Sequence, residues 1–318
     1  MKSKIIPIAG DASFRTFYRI YKNKKSKIII LAKKEKYKNL IVYAAINQYL
    51  RKNNILTPKL YFQNYKKGIF VIEDFGDLSF YKILLKKKNK LIIYKKLVDL
   101  LIKIQKIKIK STIRNIIKGK YKIEQYSKKH LQSESDLFFS WYLPIFFSKK
   151  KTAKIKKKVN KILLKLYKKL NFPNSYFVHR DYHSQNLLKF GSKIGVIDTQ
   201  DALIGNPAYD LASLIDDVRI KTSSKLKKQV FDYYLKNFKG NKEKFLDDFN
   251  TLSVQRNMKI IGIFSRLFKR DNKKNYTHLI PHAWKLLEMR LKTRKLKNLK
   301  KILDIYFSKN LRKRTVNN

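Results

Sequence analysis

The sequence contains no cysteine. Disulfides, thiolate chemistry and cysteine-ligated zinc are excluded, and the absence is compatible with a reducing compartment. No apolar run approaches the roughly 20 residues needed to span a bilayer. The opening Met-Lys-Ser-Lys-Ile-Ile-Pro has no long apolar stretch of the kind a secretory signal carries, so a cytoplasmic location is the expectation. Acidic residues are scarce, 22 against 76 Lys and Arg, for a net charge of +54. A charge of that size first suggests nucleic acid or an anionic membrane. The pattern argues otherwise. The basic residues are spread over most of the chain and are mostly lysine, not the arginine forks that read base edges. They come with abundant Ile, Asn, Tyr and Phe and with little glycine and proline, 9 and 6 residues. An AT-rich genome writes that composition on a solvated surface, so no specific nucleic-acid partner is expected.

What is present is a core-forming apolar fraction of 44% in 318 residues, enough for one bilobal unit or two small domains. The most informative stretch runs from Phe177 to Asp201. Phe177-Val-His-Arg-Asp-Tyr-His-Ser-Gln-Asn-Leu-Leu188 is followed by a turn at Gly191 and then by Ile194-Gly-Val-Ile-Asp-Thr-Gln-Asp201. The pattern predicts strand, polar loop, hairpin, strand and an acidic end. Asp181 is placed to accept a proton from an attacking hydroxyl. Asn186 and Asp198 offer an amide oxygen and a carboxylate, the hard ligands Mg²⁺ prefers. His179-Arg-Asp181 with Asn186 five positions on has the spacing of the kinase catalytic loop H-R-D-x-x-x-x-N. Taken singly, each is equally a turn residue. Taken together they point to phosphoryl transfer, where catalysis is mostly positioning and charge neutralisation.

These residues resemble the aminoglycoside-phosphotransferase superfamily of small-molecule kinases. Within it the chain is most similar to bacterial anomeric sugar kinases that act on N-acetylmuramate and N-acetylglucosamine at C1. Three further stretches carry that likeness: Ala9-Gly-Asp-Ala-Ser-Phe-Arg15, Ile72-Glu-Asp-Phe-Gly-Asp77 and Lys259-Ile-Ile-Gly-Ile-Phe-Ser-Arg-Leu-Phe-Lys-Arg-Asp271. The resemblance implies an α+β, protein-kinase-like bilobal fold. It implies a β-rich nucleotide-covering lobe over residues 1–75 and a mainly helical catalytic and substrate lobe over 76–318. It also implies ATP and Mg²⁺ as cofactors, an amino sugar as substrate, and a place in cell-wall recycling. Two alternatives stay open: a kinase of another alcohol, aminoglycoside- or choline-like, and a basic nucleic-acid or membrane binder on the same fold. The intact set of Asp181, Asn186 and Asp198 argues against the second.

The same resemblance gives expected roles along the chain. Gly10, Asp11, Ala12 and Ser13 form the phosphate-covering loop, although a plain hairpin turn is the competing reading. Where kinases carry a lysine on the third strand, this chain has Ile30 and Leu31. Lys33 is the nearest cation to supply the missing charge, or it is plain surface charge. Glu73 and Asp74 begin the hinge against adenine, or cap the next helix. Glu134 meets substrate or is a solvated helix carboxylate. Gln200 and Asp201 face the cleft, where Asp201 bonds sugar hydroxyls, contacts a second metal or caps the loop. His179 and Asp210 are structural braces of the catalytic loop.

Periodicity predicts strands within residues 4–31, a helix over 36–53, a strand pair at Tyr61-Phe62 and 68–72, and helices with basic loops over 78–171. Further helices are predicted to begin at Ala208 and to cover 223–239, 242–268, 274–292 and 296–308. A frayed tail is predicted from Arg312.

Overall fold

A computed structural model describes residues 4–8, 15–22, 25–32, 37–115 and 119–316. The chain divides into two compact units: Met1–Glu124 with Tyr176–Ile204, and Gln125–Ser175 with Gly205–Asn318.

The first unit is built on a five-stranded sheet of β1 (Lys4–Ile8), β2 (Arg15–Lys22), β3 (Lys25–Ala32), β4 (Leu60–Asn64) and β5 (Ile69–Glu73), in the order β1-β2-β3-β5-β4. Neighbouring strands are antiparallel throughout. Strand alternation puts Ile28 and Ile30 of β3 on one face, opposite Ile72 and Phe70 of β5. Helix α1 (Tyr37–Lys52) packs Leu40, Tyr43 and Ala44 onto that face. Then follow α2 (Phe80–Lys86), capped by the Ser79 side chain, and α3 (Lys90–Gln105), which buries Leu97, Val98, Leu101 and Ile104 at the expected helical spacing.

The stretch read as helices with basic loops also holds a hairpin, β6 (Thr112–Asn115) paired with β7 (Gly119–Lys122). Ile113 and Asn115 are buried while Thr112 and Arg114 are exposed, a period of two too short to stand out among lysines. Asn115 donates to the Ile41 carbonyl at 3.2 Å, tying the hairpin to α1. Strands β8 (Tyr176–Val178), β9 (Leu187–Phe190), β10 (Lys193–Val196) and β11 (Leu203–Gly205) form two small pairs, β9 with β10 and β8 with β11.

The second unit is helical: α4 (Lys128–Leu137), α5 (Leu143–Phe146), α6 (Lys149–Lys168), α7 (Ala208–Ile215), α8 (Ser224–Lys236), α9 (Lys242–Asp271), α10 (Ile280–Arg290), α11 (Lys297–Tyr306) and α12 (Lys309–Lys313). A π-helical turn, Phe138–Tyr142, follows α4. It lies where α9 comes closest, for a Cβ on Gly262 would sit 2.3 Å from the Leu137 carbonyl carbon. Only glycine permits that approach. Trp284, Phe138, Tyr142 and Phe307 cluster nearby, and the Trp284 indole donates to the Tyr142 hydroxyl at 2.9 Å.

Two expected boundaries shift. The helix expected over 274–292 begins as α10 with proline in its first turn, after a 3₁₀ segment over Lys274–Leu279; proline opens helices because its missing N–H is not needed there. The tail from Arg312 is not frayed up to Val316. Arg312 is 6% exposed, bonds Glu288 and Asp304 at 2.6 and 2.7 Å, and lies over the Trp284 ring. Among the described residues no helix is long and apolar enough to cross a membrane.

Candidate active site

Strand β8 ends in a loop whose shape is set by backbone bonds. His179 is fully buried and bridges the loop to the far strand: Nε2 meets the Ile197 carbonyl at 2.9 Å, and Nδ1 meets the Asp181 N–H at 3.3 Å. Those partners fix a neutral ring with its proton on Nε2. Arg180 takes a left-handed backbone, φ 72°, a conformation a bulky residue adopts only when its surroundings hold it. Asp181 follows, half-buried. Its carbonyl accepts from the His183 N–H at 2.9 Å and from the Asn186 side-chain amide at 3.1 Å. Because Nδ2 of Asn186 is spent on that carbonyl, its Oδ1 is the other end of the amide.

Antiparallel pairing then brings Asp198 beside Asn186. β9 and β10 pair Leu187 with Val196, and the ladder runs one bond further, from the Ile197 N–H to the Asn186 carbonyl at 3.1 Å. Asp198 is the next residue. It too is left-handed, φ 62°, which turns its carboxylate off the strand line. That side chain remains 42% exposed. Arg15 of β2 meets its Oδ1 at 3.2 Å and the Gln200 amide donates to the same oxygen at 2.7 Å. Asn186 and Asp198 thus stand one residue out of register along this ladder, and each carries an oxygen donor of the kind a small hard cation such as Mg²⁺ takes.

The whole segment is docked within the first unit. The Thr199 hydroxyl, fully buried, donates to Asn47 Oδ1 of α1 at 2.6 Å. The Val196 N–H bonds the Leu56 carbonyl and the Lys189 N–H bonds Leu78, each at 2.8 Å. The Tyr182 hydroxyl donates to the Leu97 carbonyl of α3 at 2.8 Å. Gly195 lies under Phe75, and a Cβ there would come within 2.5 Å of the ring. This glycine lets the hinge stretch lie on the hairpin, with Phe75 against Phe190 at 4.8 Å between centroids.

At the hinge, Glu73 accepts from the Lys59 N–H at 3.1 Å and from Arg51 at 3.3 Å. Asp74 accepts from the Gly76 N–H at 2.8 Å and from Arg19 at 2.5 Å. Neither caps a helix; Ser79 does. Arg19 also grips Asp77, and that hydrogen bond holds the Asp77 carboxyl below its ordinary range.

Asp201 is exposed at the loop end. Its carbonyl accepts from Arg180 at 3.1 Å and its carboxylate lies 3.9 Å from the same guanidinium. Glu134 and Asp210 belong to the second unit. Glu134 is not a solvated helix carboxylate: it is 5% exposed and meets the Tyr126 hydroxyl at 2.5 Å, Gln255 at 2.9 Å, Lys259 at 3.1 Å and the Tyr209 hydroxyl at 3.3 Å. Helical spacing put it on α4, but the facing groups come from α7 and α9. Asp210 is fully buried in the first turn of α7. Gly10, Asp11, Ala12, Ser13 and Lys33 lie outside the described residues. Arg15 was part of a recognised stretch without a role attached; only its meeting with Asp198 draws attention to it.

Known proteins resemble this chain in sequence and in shape. The chain is 26% identical over 270 residues to the N-acetylmuramate/N-acetylglucosamine kinase of Caulobacter vibrioides, covering 83% of this chain and 74% of that protein. It is 25% identical over 293 residues to the kinase of the same name from Pseudomonas aeruginosa, covering 90% and 83%. Among solved structures, the amicoumacin kinase hAmiN, in complex with AMP-PNP, Ca²⁺ and Ami, superposes with a TM-score of 0.62 at 13% identity, covering 90% of this chain and 88% of that one. An ADP-bound aminoglycoside phosphotransferase, APH(2'')-Ib, gives 0.59 at 14%, covering 90% and 92%. The fold is therefore the α+β, kinase-like fold of these enzymes. The phosphotransferase enzyme family (APH) matches residues 4–246, and the chain, with its Asp181–Asn186–Asp198 loop, belongs to that family.

Proposed function

We propose that this phosphotransferase is an ATP- and Mg²⁺-dependent kinase of N-acetylated amino sugars, phosphorylating N-acetylmuramate or N-acetylglucosamine at the anomeric hydroxyl. The observation that supports the reading is the pairing of Asn186 with Ile197, the residue before Asp198, at the end of a loop that Asn186 itself ties to the Asp181 carbonyl. The names of the sequence relatives supply the sugar.

In this reading Asp181 accepts the proton of the attacking hydroxyl and orients it. Asn186 and Asp198 hold Mg²⁺, which when bound neutralises phosphate charge. Gly10 to Ser13 cover the phosphates, Lys33 adds charge beside them, and the hinge at Glu73 and Asp74 receives the adenine. Gln200 and Asp201 face the sugar, while His179 holds the loop in shape. Residues 1–75 then serve the nucleotide and 76–318 serve catalysis and substrate. The product would enter cell-wall recycling in the cytoplasm.

The test is ADP release, with and without Mg²⁺, over N-acetylmuramate, N-acetylglucosamine, an aminoglycoside and choline. Turnover is expected with the two acetylated sugars, only with Mg²⁺, and none with a sugar whose anomeric oxygen is methylated. Faster turnover of the aminoglycoside or of choline would move the chain to another branch of the family. Turnover of the methyl glycoside would move the attack to a different hydroxyl.

A further inference from the structure

Kinases of this fold hold the nucleotide's phosphates with a lysine on the third strand. Here the third strand, β3, is Lys25-Ser-Lys-Ile-Ile-Ile-Leu-Ala32. Ile28 and Ile30 occupy its inward positions, 9% and 1% exposed. Lys27 sits toward the other end, paired in register with Glu73 and with its ammonium over the Tyr61 ring. Among the described residues β3 brings no cation to Asp198. The neighbouring strand does. Arg15, first residue of β2 and paired with Ala32, reaches Asp198 at 3.2 Å.

Its setting is built. The Arg15 side chain is 9% exposed, and its guanidinium lies 5.6 Å from the Phe17 ring and 5.7 Å from the Tyr43 ring. Aromatic faces hold arginine better than lysine, because the guanidinium is planar and weakly hydrated. Tyr43 is buried, which pushes its hydroxyl up to about 12, and the Arg15 charge pulls the other way. Asn47 of the same helix holds Thr199, the residue after Asp198. One face of α1 thus meets both Arg15 and the residue that follows the carboxylate it touches.

Resting on the kinase reading above, the geometry points to Arg15 as the cation that binds the nucleotide's phosphates, in the part a β3 lysine plays elsewhere. Asp198 would hold the metal, which would supply charge neutralisation to the phosphates. A guanidinium in contact with that carboxylate would add its charge at the same place. A guanidinium fork can take two phosphate oxygens at once. The role is one of binding and charge neutralisation, and Arg15 transfers no proton.

Calorimetric titration of Mg²⁺-free ATP and of adenosine into the full chain tests this. Arg15→Met is expected to weaken Mg²⁺-free ATP binding by about 10–100-fold, the worth of hydrogen bonds to a charged group, and to leave adenosine unchanged. Arg15→Lys is expected to recover part of the loss. Arg15→Gln keeps length and polarity and repeats the comparison should the methionine variant unfold. An equal loss for ATP and adenosine would make Arg15 a structural brace of Asp198. Unchanged ATP affinity, or a loss confined to Lys33→Met, would equally overturn the assignment while leaving the kinase reading intact. A wild-type chain that binds neither ATP nor adenosine would remove both.

Discussion

Asp198 and Asp216 are chemically identical and sit in opposite surroundings. Asp216, in the second unit, is 1% exposed. Arg290 grips it with two bonds of 2.8 and 3.0 Å, Lys227 reaches it at 3.1 Å and the Ser253 hydroxyl at 2.6 Å. Burial alone would raise this carboxyl, but Lys227 and Arg290 outweigh it and hold it far below the usual range. The same burial lowers Lys227 despite its partner, since one carboxylate faces two cations. Asp198, in the first unit, keeps 42% of its side chain exposed and sits on a left-handed residue. A saturated carboxylate in the dark is architecture. One left partly open is what the proposed metal site requires.

The largest effect should come from emptying the saturated site. Asp216→Ala leaves Lys227 and Arg290 buried without their shared anion. The expected loss is about 3–5 kcal/mol in urea unfolding, the usual cost of breaking a buried pair from one side. The wild-type protein should show the same group in its pH dependence. A carboxyl whose native pKa is depressed stabilises the fold above its unfolded value of about 3.9 and loses that contribution as the pH falls toward the native value. Stability of the wild type should fall below about pH 4, more steeply than that of an Asp216→Asn protein. A loss under about 1 kcal/mol for Asp216→Ala would break the comparison, as that is the range of an exposed pair.

The open site should behave in reverse, with function lost and the fold kept. Asp181→Asn is expected to lower kcat by about 10²–10⁴ with nucleotide affinity nearly unchanged, as for removal of a positioned base. Asp198→Asn should weaken metal-nucleotide binding together with turnover, and added Mg²⁺ should recover part of the loss. Melting temperatures of both variants should stay near wild type. Normal turnover of Asp198→Asn at low Mg²⁺ would show that the exposed carboxylate has no metal to hold.

A smaller effect sharpens the boundary between the two kinds of site. Thr199→Val removes the hydroxyl that Asn47 accepts and leaves that buried amide oxygen unsatisfied. Stability should fall by about 1–3 kcal/mol. Turnover should fall with it, because Asp198 loses its anchor to α1. A variant with unchanged melting temperature and unchanged Mg²⁺ requirement would mean that the β9–β10 ladder alone positions Asp198.

Much of the site was readable because it is nearly continuous. His179, Asp181, Asn186, Asp198, Gln200 and Asp201 fall within one loop–hairpin–loop, whose spacing is itself the signal. The Ile28–Leu31 run and the apolar rows of α1 and α3 were readable for a similar reason: local period reports burial. The β6–β7 hairpin was not. Its strands are four residues each, and lysine and arginine hold three of their five exposed positions. The buried state of Glu134 was invisible for a different reason. Its partners Tyr126, Tyr209, Gln255 and Lys259 lie up to 125 positions away, and nothing on α4 announces them. Lys259 lies in one of the stretches that carry the family likeness, and a 3.1 Å ion pair joins it to Glu134.

The sequence alone determined the class of chemistry, the order of strands and helices in most of the chain, and the residues proposed as base and metal ligands. Those properties reside in short windows, where periodicity and spacing act through the geometry of a single strand, turn or helix. The tertiary structure alone decided which charges meet. Arg15 and Asp198 are 183 positions apart, and β2, β3 and α1 must all form before one touches the other. Long-range pairing of that kind follows from packing, since a side chain's partner is set by the elements that bury it, and no local pattern encodes their arrangement.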